Sequence, residues 1–209
     1  MRDTGAVIVA AGLSRRMQAF KPMLPLGDST LIRRTIQGFL DAGVKSGNIA
    51  VVTGRNAQAL SDHVADLHIH CLHNPDYEVN EMLDSAKIGF SFMLAAGCRR
   101  VFFTPGDIPC FLPDTLLSIN GFMEETGASV VKPCCAGRAG HPVLLNGQIL
   151  PLAMDYRGEM GLKGFFRSLG DGVRHMECRD PGILMDADTP EDYTRLKAFV
   201  DGKSTRGKI

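Results

Sequence analysis

Four stretches of this chain put charged and small side chains where apolar runs end. The first, "AAGLSRRMQAFKPMLPL" (10–26), follows the apolar run "AVIVA". Gly12 there lets backbone N–H groups approach an anion with no side chain between them. Ser14 can donate a hydroxyl, and Arg16 and Lys21 bring permanent charge. These are the ingredients of a phosphate cradle, although the spacing matches neither G-x-x-x-x-G-K-[ST] nor G-x-G-x-x-G. A solvated basic turn would use the same residues. The second stretch, "FFTPGDIP", ends an apolar strand on Gly106 and Asp107. Ligands bind at the carboxyl edge of open parallel sheets. A carboxylate there can hold Mg²⁺ against a polyphosphate, or it can cap the following turn. The third, "LMDADTPEDY", repeats the design with Asp186 and Asp188. Two apart on an extended strand, they share a face, and either could instead enter the helix that follows. Asp188 is the preferred second metal ligand. One Mg²⁺ needs few protein ligands, because phosphates and water complete its octahedron. In the fourth, "GRAGHPVLL", glycines flank Arg138, and His141–Pro142 leads into a strand. That backbone could be shaped around a ligand, with His141 offering an orienting hydrogen bond; a satisfied surface histidine in a turn is the other reading.

The elements that must position these residues alternate between strand and helix patterns. Strands are expected at 6–10, 49–54, 68–73, 99–107 and 128–134. Helices are expected over 29–43, 56–66, 81–97 and 113–127, the first presenting Leu31, Ile32, Thr35, Ile36, Phe39 and Leu40 on one face. Beyond residue 135 the pattern turns irregular, with a short helix near 147–153 and a strand near 183–185. Thr189 then caps a closing helix that has Pro190 in its first turn and Glu191 and Asp192 at its N-terminus. The β-α order predicts a three-layer α/β/α fold with a mostly parallel, Rossmann-like sheet. One domain is expected over 1–200, with a disordered polar tail at 201–209.

Composition narrows the functional classes. The chain has 209 residues and zero formal net charge, so no global field recruits nucleic acid or an anionic membrane, and any anion site is local. No apolar stretch approaches the roughly 20 residues that span a bilayer. The apolar run near the N-terminus is too short for a signal peptide, and a cytoplasmic protein is expected. The six cysteines show no C-x-x-C spacing, which argues against a zinc site or a disulfide framework. His68, His70, Cys71 and His73 alternate along one strand and cannot all converge on a metal.

Taken in order, the segments resemble the MobA-like nucleotidyltransferases, most closely the branch that cytidylylates molybdenum cofactor. The first family motif stands as Ala10, Ala11, Gly12, Ser14, Arg16, Met17, Lys21, Leu24, Pro25 and Leu26. The second stands as Gly106, Asp107 and Pro109, and the third as Gly137, Gly140, His141 and Pro142. The closing motif stands as Asp186, Asp188, Thr189, Pro190, Glu191 and Asp192. Two departures stand out. Gln18 replaces the glycine that the family has after Arg-Met, and "EMLDSAKIG" (81–89) keeps Met82, Ser85 and Gly89 but puts Glu81 and Asp84 where the family has small residues.

The resemblance implies a nucleotide-diphospho-sugar transferase-like fold and transfer of a nucleotide from an NTP to a phosphorylated acceptor, a pterin phosphate in the family. The acceptor phosphate would attack the α-phosphorus and expel pyrophosphate. A phosphate monoester, with a second pKa of about 6, needs no strong general base. It implies Lys21 and Arg16 over the leaving phosphates, Mg²⁺ on Asp107 and Asp188, nucleotide contacts from Ala10, Ala11, Gly12, Ser14, Ser85 and Gly106, and acceptor contacts from Gly140 and His141. The "AAG" start resembles the branch using CTP, whereas the GTP branch more often begins with a pair of glycines. A molybdenum hydroxylase is the implied downstream partner. Two further readings share these residues: a non-catalytic factor that binds nucleotide or molybdenum cofactor, and a nucleotidyltransferase for another phosphorylated small molecule.

Overall fold

The computed structural model describes residue 1 and residues 3–12, 17, 19–79 and 81–206, the side chains of 203–206 excepted. Ser14, Arg16 and Gln18 therefore lie outside the described residues. The first strand, β1 (Thr4–Ala10), is buried along its whole length, as an apolar run covered on both faces must be. A small antiparallel ladder, β2 (Pro25–Leu26) with β3 (Ser29–Thr30), leads into α1 (Leu31–Asp41). The alternation continues through β4 (Ile49–Thr53), α2 (Ala57–Val64), β5 (His70–His73), α3 (Met82–Ala95), β6 (Arg100–Pro105), α4 (Pro113–Thr126) and β7 (Val130–Cys135). The second half adds β8 (Arg138–Ala139), β9 (Val143–Asn146), α5 (Leu150–Asp155), α6 (Gly161–Ser168), β10 (Val173–Glu177) and α7 (Pro190–Arg206). Among the described residues no helix is long and apolar enough to cross a membrane.

The central sheet runs β10-β7-β9-β6-β1-β4-β5, with β8 paired to β7. Its strands are parallel except β9, which lies antiparallel between β6 and β7, and the short β8. Alternation along β1 sorts the core into two layers. Ala6, Ile8 and Ala10 face α1, α2 and α4 through Ile32, Phe39, Leu60 and Leu116. Val7 and Val9 face α3, α5 and α6 through Ala86, Phe90, Leu150 and Phe165. The expected three-layer α/β/α arrangement with a mostly parallel sheet is thus present, and the ends of β1, β6 and β7 share one edge.

The second half departs from the expectation in specific ways. Residues 183–185 are not a strand: Pro181–Leu184 forms a 3-10 turn. Its cause is Asp180, whose side chain accepts the Gly182 N–H at 3.0 Å. The edge strand is instead β10, exposed at three of its five positions, so it lacks the apolar alternation that would mark it. The segment 158–170 contains α6, whose buried face is Gly161, Gly164, Phe165 and Phe166. Two positive-φ residues, Ala136 and Gly137, close the β7–β8 hairpin, which is the twist a two-residue turn requires. At the C-terminus α7 runs from Pro190 to Arg206.

Candidate active site

Three segments distant in sequence meet at the carboxyl edge of the sheet. After β1 the chain forms a tight 3-10 turn over Lys21–Met23, with Pro22 buried in it. After β6, Gly106 donates its N–H to the Val9 carbonyl at 2.9 Å, which draws Asp107 beside the end of β1. The third segment, 185–189, is held by a separate small core. In it, Leu26 and Leu31 pack with Cys110, Ala187 and Leu196, joined by Tyr193, Phe199 and Val200. The Tyr193 hydroxyl donates to the Pro25 carbonyl. Reciprocal bonds between Thr189 and Asp192 cap the start of α7, as the T-x-x-D spacing requires.

These devices converge on one cation. The Lys21 Nζ donates to Asp107 Oδ2 at 2.8 Å and to Asp188 Oδ1 at 2.9 Å. The lysine and Asp107 side chains are nearly buried, at 14% and 15% exposure. Burial works against the Lys21 ammonium, but attraction and hydrogen bonds from Asp107 and Asp188 outweigh it and raise its pKa. Asp186 lies close by; burial first, then repulsion from Asp188, Asp107 and Asp192, raises its pKa against a smaller pull from Lys21. Lys21 thus selects Asp188 over Asp186 as its second partner.

The other anticipated residues are placed as follows. Ala10 and Ala11 are buried at the end of β1, and Gly12 is exposed with open space on its Cβ side. Gly106 is buried against β1. The Ser85 hydroxyl is also buried and accepts from the Asn74 amide at 2.9 Å; Asn74 in turn accepts the Asp76 N–H at 3.0 Å. Glu81 and Asp84 have a local job, since the Asp84 carboxylate accepts the Glu81 N–H at 3.1 Å and caps α3. A Cβ on Gly140 would sit 2.3 Å from the Ile183 carbonyl oxygen, so only glycine permits that approach. The next N–H, of His141, donates to the same carbonyl at 2.9 Å.

The His141 ring lies edge-on to Phe103, 6.0 Å between centroids. Its Nδ1 is buried with no hydrogen-bond partner among the described residues. Burial pushes its pKa down to about 4, against the Phe103 carbonyl and the Asp107 charge. It is therefore a neutral imidazole at pH 7.

One organising residue escaped the sequence reading. Asp180 is 2% exposed and accepts from the Leu112 N–H at 2.7 Å, the Thr115 hydroxyl at 2.8 Å and the Gly182 N–H at 3.0 Å. It ties the start of α4 to the turn that delivers Asp186 and Asp188. Its only sequence signal was the Asp-Pro-Gly turn signature.

Asp107 and Asp188 offer hard oxygen donors to one shared cation position, now met by the Lys21 ammonium. Among the described residues no group of three His, Cys, Asp or Glu side chains closes on a metal. Two carboxylates completed by substrate oxygens is the donor set Mg²⁺ takes, so these residues fit that ion.

The MobA-like NTP transferase domain family matches residues 6–175. The chain is 29% identical over 198 residues to the molybdenum cofactor cytidylyltransferase of Escherichia coli K12, covering 94% of this chain and 97% of that one. Among solved structures, a nucleotidyl transferase from Methanothermobacter superposes with a TM-score of 0.81 at 24% identity, covering 97% of this chain and all of that one (100%). Rv0371c from Mycobacterium tuberculosis, solved in complex with manganese, gives a TM-score of 0.73 at 21% identity, covering 94% and 98% of the two chains. At these identities the structural likenesses speak to the fold.

Proposed function

Since the chain belongs to the MobA-like NTP transferases, we propose that it transfers CMP from CTP to a phosphorylated acceptor, the pterin phosphate of molybdenum cofactor, with release of pyrophosphate. The observation that carries this reading is the junction of Lys21 with Asp107 and Asp188 at the edge of the sheet. Acceptor and nucleotide choice draw support from the Escherichia coli relative, a molybdenum cofactor cytidylyltransferase, and from the Ala10-Ala11-Gly12 start. GTP is the competing nucleotide. The product would pass to a molybdenum hydroxylase in the cytoplasm.

The reaction asks the protein to neutralise charge and hold two phosphates in line. Lys21 would leave its carboxylate partners and, together with the charge of Arg16, cover the β- and γ-phosphates and so stabilise the leaving pyrophosphate. Ala11 and Gly12 would offer backbone N–H groups to the nucleotide. Mg²⁺, held by Asp107 and Asp188, would supply charge stabilisation at the reacting phosphate. Neutral His141 would orient the acceptor beside Gly140. Asp84, by capping α3, already occupies that helix N-terminus with negative charge, which disfavours a phosphate there.

The test is pyrophosphate release from each of the four NTPs with a phosphorylated pterin and Mg²⁺. CTP should be preferred, and Asp107→Ala should abolish turnover. A rate kept within about threefold, under 1 kcal/mol of barrier, would overturn the role of Asp107. Tight nucleotide binding without release on any acceptor would instead mark a non-catalytic binding factor.

A further inference from the structure

The sheet face beneath α3, α5 and α6 is apolar along its central strands, with one charged exception. Phe103 on β6 pairs with Val143 on β9. Continuing the β7–β9 register from Val130–Leu145 and Val131–Leu144 puts Lys132 in the same row. Lys132 is half-buried, and its Nζ stands 4.5 Å from the centre of the Phe166 ring on α6. Lys163 acts on it as a second cation, and among the described residues no ion pair joins Lys132 to a carboxylate. Burial first, and then Lys163, lower its pKa. An ammonium set in an apolar face against an aromatic ring, near another cation, has no carboxylate partner among the described residues to offset its burial.

Its position says where that counter-charge would come from. Both Asp107 and Lys132 act electrostatically on His141, whose ring packs on Phe103, in the row that Val143 and Lys132 continue. In the sheet, β1 and its Lys21 loop lie on one side of β6, while β9 and β7 lie on the other. A nucleotide held by the loop after β1 leaves the β7 side for the second substrate. We propose that Lys132 binds the phosphate monoester of the acceptor, next to His141, and so holds the attacking oxygen toward the nucleotide's α-phosphorus from the β7 side of the site. This assignment rests on the nucleotidyl transfer proposed above. It deepens that reading by naming the residue that reads the acceptor's anionic group.

The experiment compares wild type, Lys132→Arg and Lys132→Met; methionine keeps an apolar stem against Phe166. Equilibrium binding is measured for a pterin carrying a phosphate monoester, for the same pterin without phosphate, and for CTP. Wild type and the arginine variant should favour the phosphorylated pterin by tenfold or more. The methionine variant should favour it less than twofold, and CTP affinity should stay within twofold in all three. A wild type that binds both pterins alike overturns the assignment, as does a methionine variant that keeps the preference or loses CTP affinity in parallel. Turnover separates this from the transferase reading. Phosphate preference without pyrophosphate release sinks the transfer and leaves Lys132 as an anion site. Release with an unchanged acceptor KM in the methionine variant sinks Lys132 and leaves the transfer.

Discussion

Replacing His141 with glutamine should remove a built-in sensitivity to acid. The imidazole is held neutral by burial, with its pKa depressed from the ordinary 6.5 to about 4. A histidine depressed in the folded chain binds fewer protons than in the unfolded chain, so stability rises with pH across that window and falls as pH drops through it. Between pH 7 and pH 5 the linkage costs the folded state about 2 kcal/mol, levelling off near about 3 kcal/mol below both values. Lost packing against Phe103 will shift the glutamine variant by a constant that does not depend on pH. The pH-dependent part is isolated by urea unfolding of both proteins from pH 5 to 8, taking the difference between their free energies at each pH. Other titrating groups largely cancel in that difference, which should move in the variant's favour by about 2 kcal/mol from pH 7 to 5. Parallel stability curves would refute the reasoning. So would a His141 ring resonance that titrates near 6.5 in the folded protein.

Three further substitutions test how the site is built. Asp180→Ala strands the Leu112 and Gly182 N–H groups and the Thr115 hydroxyl, and should cost about 3 kcal/mol of unfolding free energy; a loss below 1 kcal/mol would mean that water replaces the carboxylate. Asp186→Asn removes a carboxylate whose pKa is raised by burial and by Asp188, Asp107 and Asp192. A carboxyl raised in the folded state is penalised for ionising, so the variant should melt higher than wild type at pH 7. The gain should shrink as pH falls through the raised folded value and vanish below 3.8, where the wild-type group is protonated in both states. Asp84→Ala uncaps α3 and should destabilise by about 1 kcal/mol, read as faster amide exchange confined to its first turn.

β1, β4, β6 and β7 and the helices α1 to α4 were legible because each buries residues whose period is written in the sequence, whereas β5 buries none fully. β1 alternates Ala6, Ile8 and Ala10 with Val7 and Val9 between two apolar layers, and α1 repeats Leu31, Ile32, Thr35, Ile36 and Phe39 toward the sheet. β10 buries a single residue, Met176, so its pairing with β7 rests on backbone hydrogen bonds that any side chains permit. The segment 181–184 shows the opposite failure. Its Gly-Ile-Leu-Met run looks like a short strand, but one side chain, Asp180, claims the Gly182 N–H and turns the backbone.

The site divides along the same line. Lys21, Asp107 and Asp188 could be picked out because each follows a recognisable strand or precedes a capped helix. What could not be read was which carboxylate the lysine chooses. Asp186 and Asp188 are equivalent in an extended strand, yet residues 185–189 are not a strand. Ala187 is buried between them in the small core with Leu26 and Leu196, and Asp186 is desolvated there while Asp188 meets Lys21. The departures at Glu81 and Asp84 gain a physical reason in the same way. Small residues at the start of α3 would leave its N–H groups open to a ligand, whereas Asp84 caps Glu81 within the chain. Under the proposed reading the acceptor's anionic group would then be met away from α3, at Lys132 beside the Phe166 ring.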